Sequence, residues 1–131
     1  MEHEPAAVDR DVLDDLERAV GDDRAFLRDV IDSFLDEAPR MIATIREGIT
    51  TGDVESTNRA AHTLKSNAAT LGALGLSALA RELETMTSVA TTQGQDLAEP
   101  QIGALVNVIA HELDNVRDEL DALVPPTEDS T

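Results

Sequence analysis

The sequence predicts an all-α protein, an antiparallel up-and-down four-helix bundle with a short additional N-terminal helix. Three observations lead there. Apolar residues recur at steps of three and four rather than in strand alternation. Gly, Pro and Asp punctuation divides the chain into one short and four longer amphipathic stretches. The length of 131 residues leaves room for one core and little more.

The lead helix is expected over about Val8 to Val20, capped by Asp9 or a neighbour. It places Val12, Leu13, Leu16 and Val20 on one face and ends at Gly21. It is too short to stand alone. After Asp22 and Asp23 the stripe Leu27, Val30, Phe34, Ala38, Met41, Ile45, Ile49 describes one long helix reaching Gly52, with Pro39 predicting a kink or a break.

Asp53 is the expected N-cap of the next helix, which buries Ala61, Leu64, Ala68 and Leu71 before Gly72 and Gly75 punctuate the turn. The following helix carries Leu76, Leu79, Leu83 and Met86 and gives way to a loop, TTQGQD. The last, from about Leu97 or Pro100, aligns Ile102, Leu105, Ile109, Leu113, Val116, Leu120 and Leu123 until Pro125 and Pro126 stop it. Four such stripes with short connections are buried most simply as an antiparallel bundle, the lead helix covering one end. Residues 1–7 are expected to be flexible, 8–124 to form the bundle, and 125–131 to be a disordered tail.

Composition excludes several classes of function. With no cysteine, disulfides, thiol catalysis and Cys-based zinc sites are ruled out. A formal charge of -17 repels nucleic acid and anionic membranes, and no Trp, no Tyr and only two Phe leave little for base stacking. The acidic N-terminus lacks a secretory pattern, and no apolar run approaches the ~20 residues that span a bilayer. The expected location is cytoplasmic.

The third helix carries the most informative pattern. With Leu64 inward, His62 lies about 160° round the helix and faces solvent. Its helical neighbours are Asn58, Arg59, Lys65, Ser66 and Ala69. Lys65 is the only lysine. Ser56 to Arg81 is a run of 26 residues without Asp or Glu, although 27 of the 131 residues are acidic. Such a surface suits a transient dianion: at a dielectric of about 20, two unit charges ~6 Å apart interact by about 3 kcal/mol, so each nearby carboxylate opposes a phosphoryl adduct. Lys65 does the reverse, and an imidazole is largely neutral and nucleophilic at cell pH.

The segment AAHTLKSNAATLGALGLSALARELE, residues 60–84, resembles the core motif of histidine phosphotransfer (HPt) domains, in which the acceptor is followed by x-x-Lys-Gly or Lys-Ser and then Leu-Gly. The resemblance extends less specifically over Val12 to Leu123, through LDDLERAVGDDRAFLRDVIDSFLDEAPR and the Gly-Asp before the acceptor helix. It implies that His62 is the phospho-acceptor, that Lys65 contacts or screens the phosphoryl group, and that position 66, here Ser66 instead of the commoner Gly, is small so that a partner can approach. Glu84 matches a place where family members often carry Glu or Gln able to bond the imidazole. Such a bond fixes the tautomer and frees the other nitrogen to attack. A solvated helix carboxylate is the alternative for Glu84. Asn58, Arg59 and Asn67 are surface candidates only.

The function this implies is relay of a phosphoryl group between aspartates of receiver domains, those of response regulators and hybrid histidine kinases. The chain is expected to be a monomer without ATP site, kinase activity or cofactor of its own, Mg²⁺ belonging to the partner receiver domain. Leu13, Leu16, Phe26 or Leu27 are docking candidates, some of which must be core. His3, near the N-terminus, and His111, whose HExxN pattern lacks a second histidine, are assigned no ligand role.

Three rival readings have their own signatures. A receiver-binding adaptor that carries no phosphate has the same fold, but intact His62 and Lys65 oppose it. A di-iron bundle needs Glu-x-x-His, which does not occur. A purely structural bundle leaves the missing acids unexplained. An initiating Met and a polar tail suit a free-standing protein, although a module of a longer chain reads the same.

Overall fold

The computed structural model describes residues 7–94, 96–97 and 100–126. Five helices form along them: α1 (Arg10–Ala19), α2 (Arg24–Thr51), α3 (Val54–Thr70), α4 (Leu74–Thr92) and α5 (Pro100–Leu123). No strand occurs among the described residues, and no helix there is long and apolar enough to cross a membrane. Residues 1–6 and 127–131, anticipated as flexible N-terminus and disordered tail, lie outside the described residues, as does His3.

Aspartates set the starts of α1, α2 and α3. Asp9 Oδ1 accepts from the amides of Asp11 and Val12, Asp23 from that of Phe26 at 3.0 Å, and Asp53 from that of Ser56 at 3.0 Å. Gly52, at φ +77°, closes α2, and the two-residue Gly52–Asp53 connection forces α3 to return antiparallel beside it. The turn after α3 is tighter than the glycine pattern indicates. Gly72, at φ +82°, makes the reversal, while Gly75 already belongs to the first turn of α4.

α2, α3, α4 and α5 form a closed ring of neighbours, with α5 returning against α2. α1 lies against α2 and α3 at one end, where the amide of Asp9 donates to the carbonyl of Gly72 at 2.7 Å. Val8 precedes α1 rather than opening it. It is buried, and its amide and that of Ala7 donate to the two Glu119 oxygens at 2.8 and 3.1 Å. At the same end Arg24 Nη2 donates to the carbonyl of Leu123.

The buried faces follow the expected stripes on α3 and α5. On α2 the inward face is rotated. Ile31 and Ile42 join Leu27, Phe34, Ala38 and Ile45 in the core, whereas Val30, Met41 and Ile49 are only half-buried. Pro39 does not break α2. It sits on the exposed side, and the carbonyl of Leu35, which its missing N–H leaves without a helical donor, accepts from Arg117 Nη2 at 3.4 Å. Thr91 and Thr92 extend α4 into the expected loop, each hydroxyl donating to a carbonyl four residues back.

Candidate functional site

α3 turns Thr57, Ala60, Ala61, Leu64 and Ala68 inward, and this fixes His62 outward with 59 % of its side chain exposed. α4 packs beside it with Ala80, Leu83 and Thr87 buried. Glu84, one step round from Leu83, therefore points across the α3–α4 seam instead of into water, and its side chain is only 22 % exposed.

Three predicted residues meet there. Glu84 Oε2 lies 2.9 Å from His62 Nδ1, and Glu84 Oε1 accepts from Lys65 Nζ at 2.8 Å. One carboxylate thus serves two partners, one oxygen each. The hydrogen bond from Lys65 holds the Glu84 carboxyl below its ordinary value of 4.5, with the contact to His62 adding to it against the opposing effect of partial burial. An ionised carboxylate only accepts, so Nδ1 carries the imidazole proton and the neutral ring keeps its lone pair on Nε2. The run of 26 residues without acids in the sequence is not an acid-free surface in space, because Glu84 enters it from α4.

Ser66 is exposed beside His62 and presents a small side chain. Arg59 pairs with Glu55 one turn back, at 3.0 Å. Asn67 lines a shallow groove with Val30, Phe34, Thr70 and Leu71 between α3 and α2. Asn58 is more than a surface residue: its Nδ2 donates to the carbonyl of Glu84 at 3.0 Å and to the hydroxyls of Thr87 and Ser88. His111 is exposed on α5. Of the docking candidates, Phe26 is 51 % exposed and Leu16 half-buried, while Leu13 and Leu27 are core residues. Leu27, on the apolar stripe of α2, turns inward, and Phe26 beside it turns out.

Sequence reasoning missed Ser77, whose Oγ donates to the carbonyl of Lys65 at 2.9 Å. A serine in the first turn of a helix gives no local sign of a partner on another helix.

The fold has a counterpart among solved structures. The backbone is similar to the crystal structure of histidine-containing phosphotransfer protein B (HptB) from Pseudomonas aeruginosa PAO1, with a TM-score of 0.76 and 19 % sequence identity over 91 % of this chain and 95 % of that one. No curated protein matches the chain. The model of the Hpt domain matches residues 29–123, from the second turn of α2 to the end of α5, and so takes in every residue of the cluster around His62. A match over that much of the sequence makes the chain a member of the Hpt domain family.

Proposed function

We propose that the protein relays a phosphoryl group between aspartates of receiver domains, with His62 as the carrier. The observation that carries this reading is the exposed imidazole whose Nδ1 is engaged by Glu84 at 2.9 Å. Nε2 attacks the phosphorus of an aspartyl phosphate in line, the P–O bond to the aspartate breaks, and the carboxylate leaves with its electron pair. The ring retains its Nδ1 proton and gains formal positive charge, which the Glu84 carboxylate stabilises. Attack by a second receiver's aspartate reverses the step, and no proton need leave the site.

Lys65 neutralises Glu84 in the resting site and lies one helical turn from His62, placing its ammonium where a phosphoryl group can share it. Ser66 leaves room for the incoming receiver. The receiver contributes Mg²⁺ and most of the catalytic groups, so this chain is an intermediate without ATP chemistry of its own. We place it in the cytoplasm as a monomer, meeting response regulators and hybrid kinases through the His62 face.

Incubation with a radiolabelled phospho-receiver tests the proposal. Label is expected on the wild-type protein in an acid-labile form and to be absent from a folded His62→Gln variant. Equal labelling of both proteins would exclude His62 as the carrier.

A further inference from the structure

His62 and Lys65 come from α3 and Glu84 from α4, so the site exists only at one axial register of the two helices. A slip of one turn moves a helix by about 5.4 Å, enough to carry a 2.9 Å contact beyond hydrogen-bond range. The buried residues of the two helices include Ala61, Ala68 and Ala80, whose short side chains make shallow ridges and specify register weakly.

Two side chains cross this seam to backbone carbonyls, and those carbonyls belong to the site residues themselves. From α3, Asn58 Nδ2 donates to the carbonyl of Glu84 at 3.0 Å. The same amide reaches Thr87 Oγ1 at 3.0 Å, and that buried hydroxyl donates in turn to the Glu84 carbonyl. From α4, Ser77 Oγ donates to the carbonyl of Lys65 at 2.9 Å. A helix carbonyl has a second lone pair, so these bonds form without disrupting the helices. Asn58 lies one turn before His62 and Lys65 one turn after it, so the two bonds bracket the acceptor along α3.

We propose that Asn58 and Ser77 are positioning residues for phosphoryl transfer, a reciprocal pair of latches that sets α3 against α4 so that Glu84 meets His62 and Lys65 together. This inference deepens the relay reading and rests on it for its functional consequence. Its structural consequence is independent: the latches hold the proton of the neutral imidazole on Nδ1.

Nitrogen NMR of His62, at a pH where the ring is neutral, reads that tautomer directly. Asn58→Ala and Ser77→Ala are expected to shift the population from the Nδ1–H toward the Nε2–H form and to slow transfer from a phospho-receiver roughly tenfold, as loss of a group that orients a histidine does elsewhere. Ser77→Thr, which keeps the hydroxyl, restores both readouts. Ile45→Val, which loosens the α2 core without touching the seam, leaves the tautomer unchanged and so separates positioning from general destabilisation. A wild-type tautomer in both alanine variants overturns the proposal. Failure of the wild type to accept phosphoryl from any receiver instead overturns the relay reading, while the tautomer measurement still decides the latches.

Discussion

At the scale of single residues the site is organised by Glu84, which is bonded to both His62 and Lys65. Its carboxyl is held below 4.5 first by Lys65 and then by His62. A folded-state pKa below the unfolded one gives stability that is present above about pH 4.5 and is lost as the pH falls through the folded value. Lys65→Ala removes the larger cause, so the Glu84 carboxyl is expected to titrate closer to 4.5 in the variant, as carbon NMR of the carboxyl would show. An unchanged titration would mean that the bond to Lys65 is not formed in solution. His62 and Lys65 were legible in the sequence because they share one helix face, where spacing is geometry. The contact of Glu84 with both was not legible from spacing, since 22 residues and a turn separate it from His62 and the register across that turn depends on Gly72 and the Asn58 and Ser77 bonds.

At the scale of helices, α3 and α5 were read correctly because their buried positions are almost all apolar. α2 was read with its face turned because two of its buried positions carry no apolar side chain: Arg28, which reaches Asp32, Asp121 and the carbonyl of Val124, and Gly48. Hydrophobic periodicity gives neither position weight, so the apparent stripe drifts to the half-buried Val30, Met41 and Ile49. Gly48 is buried because α3 crosses close to it. A Cβ there would stand 2.1 Å from Thr57 Oγ1 and 3.1 Å from the carbonyl oxygen of Asp53. Thr57 has no room to withdraw, being wholly buried with its hydroxyl donating to that same carbonyl at 2.9 Å. Gly48→Ala is therefore expected to destabilise the bundle by about 1–3 kcal/mol, despite alanine's better helix propensity, and urea unfolding measures it. A stabilised variant would show that α2 and α3 are further apart than this crossing requires.

At the scale of the whole molecule the dominant quantity is a formal charge of -17 on 131 residues. Three of the described ion pairs, Arg18 with Asp15, Arg40 with Asp36 and Arg59 with Glu55, are exposed helix-surface contacts, each of little consequence for stability. Arg28 differs from these, a buried cation tying the start of α2 to the end of α5, and its partners Asp32 and Asp121 remain partly exposed. Repulsion within this excess of carboxylates opposes the compact state, and it acts over distances that salt screens, the Debye length falling to about 10 Å at 0.1 M. The short contacts of Arg28 are screened far less. Sodium chloride is accordingly expected to stabilise the fold: if screening recovers about 1 kcal/mol, Tm rises by roughly 4 °C for a chain of this size. Chloride is the anion to use, because sulfate strengthens apolar burial in its own right and would mimic the effect. Thermal scans between about 0.05 and 0.5 M salt at neutral pH measure it. A Tm that falls over this range would mean that ion pairs outweigh the net repulsion.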